Sequence, residues 1–98
     1  MDNRTPAVYI ISNCKNSVLY TGVTSNLPQR AFQHKCLYYK GFASKYRLTK
    51  LVYYEIHSSM EYAITREKQI KKWKRQWKIE LIEKLNPEWK DLYFHVIN

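Results

Sequence analysis

Two cysteines are all this 98-residue chain contains, Cys14 and Cys36, and they form no C-x-x-C pair. That is too few for a disulfide framework or a four-thiolate zinc site, and it suits a reducing compartment. Acidic residues are scarce as well: 8 Asp and Glu stand against 17 Lys and Arg. Scattered as Asp2, Glu55, Glu61, Glu67, Glu80, Glu83, Glu88 and Asp91, they form no tight cluster, which favours one metal ion over a two-metal centre built from several converging carboxylates. No apolar run is long. Ala7 to Ile11 is far too short for a signal h-region or a membrane span, and the residues before it are polar. A cytoplasmic chain with no membrane partner is expected. Repeats, low-complexity tracts and Gly/Pro/Ser linkers are missing too, so residues 1–98 are expected to form a single domain.

What is present is positive charge. The formal balance is +9 with a pI near 9.6 on an 11.9 kDa chain, which points to a polyanionic partner. Ribosome-associated and membrane-surface proteins share this balance, so charge alone leaves those classes open. Hydrophobic residues make up 45%, enough for a folded core.

Along the chain, Ala7-Val-Tyr-Ile-Ile-Ser12 and Ser17-Val-Leu-Tyr-Thr-Gly-Val-Thr24 are β-branched and aromatic runs around a polar turn, which predicts a hairpin. Asn26-Leu27-Pro28-Gln29 offers an N-cap, a first-turn proline and a glutamine at N3, so a short helix is expected over Leu27 to Lys35. Residues 36–50 lack periodicity and read as a basic, aromatic loop. Leu51 to Ile56 reads as a third strand. Ser58 or Ser59 can cap a helix over about Met60 to Trp73, and another helical segment runs from about Gln76 to Leu85, ended by Asn86-Pro87. The order is β-β-α-β-α-α: an α+β fold with a small three-stranded antiparallel sheet flanked by helices.

Three features carry chemistry. Glu67 follows Met60, Ala63 and Ile64 and precedes Ile70 at helical spacing, which puts a carboxylate on an apolar face. Such a group needs a cation: a structural Lys or Arg, or a metal ion. Tyr9 and Tyr20 lie on adjacent strands. If Ser12 pairs with Ser17 around the turn Asn13 to Asn16, the two tyrosines stand opposite each other on one face, whereas one more turn residue would separate them. Taken singly, each tyrosine could equally be packing. Arg30 and His34, four apart, share one face of the short helix, an arrangement also common on solvated faces.

Taken together, Ala7-Val8-Tyr9, Tyr20-Thr21-Gly22, Arg30, His34 and Glu67 resemble the GIY-YIG nuclease superfamily, in its small single-domain form. Ala7 stands where the family usually has glycine and Thr21 where it usually has isoleucine; neither change removes a functional side chain. The resemblance extends through Gly41 to Tyr46, the strand Leu51 to Ile56 and Asn86-Pro87-Glu88-Trp89, with Asn86 matched to the family's asparagine although it stands further past Glu67. It implies a metal-dependent endonuclease acting on nucleic acid, DNA before RNA, as a monomer or weak dimer. In that reading Glu67 holds one Mg²⁺ or Mn²⁺, with Glu55 the one acid placed to assist. Arg30 stabilises the transition state, and Tyr9 with Tyr20, or His34, activates water. Tyrosine is an unpromising base unless nearby cations favour the phenolate. Phosphate contacts are expected from Lys40, Lys45, Arg47 and the run Arg66, Lys68, Lys71, Lys72, Lys74, Arg75 and Lys78. Trp73 and Trp77, one helical turn apart, suit core packing more readily than base stacking. A catalytically silent nucleic-acid-binding module and a ribosome- or complex-associated structural protein are the competing readings.

Overall fold

A computed structural model describes residues 5–37 and 41–97. Three strands, β1 (Ala7–Ser12), β2 (Leu19–Thr24) and β3 (Lys50–Ile56), form one antiparallel sheet in the order β2-β1-β3. The central strand β1 is buried along its whole length, so its apolar residues serve two separate cores. On one face, Ala7, Tyr9 and Ile11 pack with Leu27, Ala31, Leu48 and Leu51. On the other, Val8, Ile10, Val52 and Tyr53 pack with Ala63, Ile70 and Ile82. The first face is covered by α1 (Leu27–Lys35) and α5 (Tyr93–Val96), the second by α3 (Met60–Lys71) and α4 (Arg75–Leu85).

The caps follow the local chemistry. Asn26 accepts a hydrogen bond from the Gln29 amide, opening α1, and Ser59 accepts one from the Tyr62 amide, opening α3. Helix α3 stops at Lys71, two residues short of the expected Trp73. Two short helices were not anticipated: α2 (Phe42–Lys45) interrupts the expected 36–50 loop, and α5 is anchored by Asp91. Asp91 takes hydrogen bonds from the Leu51 and Tyr93 amides and pairs with Lys35.

The hairpin register differs from the expected one. Ser12 pairs with Leu19, not Ser17, so Tyr9 opposes Gly22 and Tyr20 opposes Ile11. The turn is two residues longer because the Asn13 side chain accepts hydrogen bonds from the amides of both Ser17 and Val18, and Asn16 adopts a left-handed conformation with φ 57°. An even shift restores the side-chain parity, and Tyr9 and Tyr20 still share a face, as diagonal neighbours.

A second irregularity lies in β3. Ile10 pairs with Tyr53 but Ile11 with Leu51, so Val52 is an extra, bulged residue. Leu51 and Tyr54 consequently face the α1 side, while Val52, Tyr53 and Glu55 face the α3 side. The bulge carbonyl is met by Asn86, whose amide donates to Val52 O at 3.0 Å and Lys90 O at 2.9 Å, while its oxygen accepts from the Lys90 amide at 3.0 Å.

Candidate active site

Tyr9 sits mid-strand on β1 and is only 2% exposed. Its ring lies directly on Gly22: a Cβ there would come within 2.4 Å of both Cζ and the hydroxyl oxygen of Tyr9. The glycine of Tyr20-Thr21-Gly22 is therefore required by close approach across the strands.

Only Ser25 and Asn26 separate β2 from α1, which swings the helix over the same face. Leu27, Ala31 and His34 form its buried stripe, and His34 is 5% exposed, not solvated. Their i, i+4, i+7 spacing was the available signal that His34 points inward. His34 Nε2 lies 3.0 Å from the Tyr9 hydroxyl, and Arg30 Nη1 donates to the same oxygen over a longer 3.4 Å. The Tyr20 ring centroid is 6.4 Å from that of His34, and the Tyr9 centroid 5.5 Å. Burial, and then the Arg30 charge, lower the His34 pKa from 6.5 to about 4, so the imidazole is neutral at neutral pH.

Glu67 approaches from the opposite layer. Ala63 and Ile70 form the buried line of α3, and residues 66 and 67 flank it on either side. Arg66 reaches the β3 side; Glu67 lies on the β2 side, at the edge of the sheet. The Glu67 side chain is 12% exposed and pairs with Lys71 at 2.8 Å. The Lys71 ammonium in turn lies 5.6 Å from the centroid of the Tyr20 ring. The hydrogen bond to Glu67 holds the Lys71 pKa above its ordinary value, against the effect of burial. Tyr9, Arg30, His34 and Tyr20 are thus directly assembled, and Glu67 adjoins them through Lys71. The apolar face expected around Glu67 is narrower than its spacing suggested, since Ile64 is exposed.

Other sequence candidates lie elsewhere. Glu55 faces the α3 side, where it is bonded by Tyr53, by His57 Nε2 at 2.8 Å and by Arg66 Nε at 2.8 Å. It is not beside Glu67's cluster, because the β3 bulge and Val8 pairing put it on the opposite face from Tyr9. Arg66, committed to Glu55 and lying over Trp73, is not a solvated phosphate contact. Asn86 is occupied with the bulge. Lys45, Arg47, Lys68, Lys71, Lys72, Lys74 and Arg75 are exposed, and Lys40 lies outside the described residues.

Among the described residues, no three or more His, Cys, Asp or Glu side chains converge to hold a metal ion. A lone carboxylate such as Glu67 does not make a closed zinc-type cage. It does suit a hard ion that keeps its waters and takes substrate oxygens as its remaining ligands.

Comparison with known proteins matches residues 5–80 to the GIY-YIG catalytic domain. The chain belongs to the GIY-YIG family. A UPF0213 protein of Staphylococcus haemolyticus is 41% identical over 80 residues, covering 78% of this chain and 92% of its own. A UPF0213 protein of Syntrophus aciditrophicus is 40% identical over 82 residues, covering 83% and 92%, and one of Clostridium perfringens is 40% identical over 79 residues, covering 76% and 80%. No solved structure gives a significant match. GIY-YIG domains are usually endonucleases that use a divalent metal, so a nucleic-acid substrate is implied. No helix among the described residues is long and apolar enough to cross a membrane.

Proposed function

We propose that this chain is a metal-dependent endonuclease that hydrolyses phosphodiester bonds of nucleic acid, DNA in preference to RNA, acting as a monomer or weak dimer. The observation that carries this reading is the Tyr9 hydroxyl held between Arg30 and His34, with Tyr20 alongside. Hydrolysis needs a water relieved of a proton, positive charge on the pentavalent transition state, and help for the departing 3′ oxygen. Arg30 presents a rigid fork of donors suited to a phosphate, and it adds positive charge at the Tyr9 oxygen, which eases loss of the phenol proton. In the tautomer of His34 that leaves Nε2 unprotonated, the phenol's own proton is directed at that nitrogen.

Burial, more than the Arg30 charge, keeps His34 weakly basic, so its part is to orient the phenol through this hydrogen bond. Tyr9, with Tyr20 alongside, orients the attacking water or takes its proton, and His34 is the competing base. Glu67 would hold one Mg²⁺ or Mn²⁺, which when bound supplies charge against the scissile phosphate and the leaving oxygen. Lys71 neutralises Glu67 in the protein alone and, with nearly half of its side chain exposed, can turn toward phosphate.

The test is cleavage of supercoiled plasmid, linear duplex, single strands and RNA with Mg²⁺, Mn²⁺ or EDTA. Metal-dependent nicking of DNA is expected. Tight binding with no cleavage of any substrate in either metal would reject the reading in favour of a silent binding module.

A further inference from the structure

The two tryptophans of the α3–α4 junction have different fates. Trp73 packs against the core, whereas Trp77 is 49% exposed, its ring edge-on to Trp73 at 6.3 Å between centroids. Beside them lies a shallow pocket of about 340 Å³ lined by Trp73, Trp77, Glu80, Leu81 and Lys84. The Lys74 ammonium sits 5.6 Å from the centroid of the Trp77 ring.

This pocket is joined to the candidate active site by a series of cations. Lys71 lies over Tyr20. Lys78 is half-buried, with a pKa lowered by burial and then by the nearby charges of Arg75 and Lys71. Arg75 is fixed by hydrogen bonds to the hairpin-turn carbonyls of Asn16 and Ser17, and Lys74 follows one helical turn before Lys78, at Trp77. A half-buried lysine crowded by the charges of Arg75 and Lys71 is relieved by a polyanion. An apolar protein segment would account for the tryptophan but not for this line of cations.

We propose that Trp77 is a stacking platform for an unpaired base of a single strand continuing from the cleavage site, with its phosphates running over Lys71, Lys78 and Lys74. This rests on the nuclease reading for where the strand begins. Every base has a π-face, so the platform tolerates any sequence. Glu80 in the pocket wall repels phosphate, which leaves the base, not the backbone, as the group that enters.

The probe is a fluorescent oligothymidylate, with a blunt duplex of equal length for comparison, titrated in EDTA and read by anisotropy. Trp77→Ala is expected to weaken single-strand binding by about tenfold or more and duplex binding by less than about twofold. Trp77→Phe, which keeps an aromatic face, is expected to bind within about threefold of the parent chain. Equal losses on both nucleic acids, no loss on either, or a Phe variant as weak as the Ala variant would overturn the platform. So would a dimer in sedimentation that Trp77→Ala dissolves, since the patch would then belong to a second copy. Circular-dichroism melting checks that each variant folds. Because binding is read without metal, the platform stands or falls whether or not the parent chain cuts. Cleavage of blunt duplex by the parent chain with Mg²⁺ or Mn²⁺ tests the nuclease reading separately.

Discussion

Tyr9 and Tyr53 occupy opposite faces of one sheet, both buried and both hydrogen-bonded through the hydroxyl, in opposite electrostatic settings. Tyr53 donates to the Glu55 carboxylate, and burial together with that bond pushes its pKa far above the phenol range. Burial alone would raise the Glu55 carboxyl too, but hydrogen bonds from Arg66, Tyr53 and His57 hold it below its usual value. Arg66 is held more firmly charged by the same carboxylate. That cluster balances its own charges, and each proton in it is secured. Tyr9 instead has a guanidinium and a neutral imidazole at its oxygen, an arrangement that presents positive charge to an anion. The same residue types thus make structural mortar on one face and a candidate reaction centre on the other, according to where the carboxylate stands.

The comparison is broken most severely at Glu67. Glu67→Gln should lower metal-dependent cleavage by about 100- to 1,000-fold. Its melting temperature should barely move, since the exposed Lys71 partner can turn to water and such i, i+4 pairs contribute only about 0.5 kcal/mol. Full activity with a lowered melting point would make Glu67 structural.

A smaller effect concerns His34. Its folded value of about 4 lies below the unfolded 6.5, so between them the unfolded state binds the extra proton. Stability should therefore be complete above pH about 6.5 and fall as the pH drops toward about 4, by up to about 3 kcal/mol, levelling off below. Urea unfolding at several pH values, with His34→Gln as reference, checks this; parallel curves for the two proteins would remove the buried neutral imidazole from the account.

On the other face, Glu55→Gln should cost about 2 kcal/mol, roughly 10 °C in melting temperature, by leaving Arg66 without its charge partner. Cleavage by the folded variant should be unaffected. A selective loss of activity with normal melting would bring Glu55 into the reaction.

The smallest change is expected at Thr21, which faces the α3 side and whose buried hydroxyl has no hydrogen-bond partner among the described residues. Thr21→Val should be neutral or raise stability by up to about 1 kcal/mol, measured by thermal melting. A marked loss would reveal a polar role for that hydroxyl.

Much of this was legible beforehand because it depends on neighbours in sequence. Asn26, Pro28 and Gln29 mark the start of α1, Ser59 caps α3, and the runs around Asn13 to Asn16 mark the hairpin. Tyr9 and Tyr20 share a face although the register differs from the expected one, since side-chain parity survives a shift of two. The short helices α2 and α5 were not legible: each is a single turn, too brief for hydrophobic periodicity to register, and α5 is anchored through Asp91 to β3 and Lys35.

By itself, then, the sequence determined the longer elements, the charge and the candidate set Tyr9, Tyr20, Arg30, His34 and Glu67, because capping, alternation and helical spacing act over a few residues. Only the tertiary structure decided which of those groups meet. The bulge at Val52 sends Glu55 to the far face, the close approach of Tyr9 to Gly22 fixes the phenol beneath α1, and α3's position at the β2 edge puts Lys71 over Tyr20 while Arg66 turns to β3. Those outcomes depend on contacts between residues distant in the chain, where one extra strand residue or 100° around a helix changes a side chain's partner.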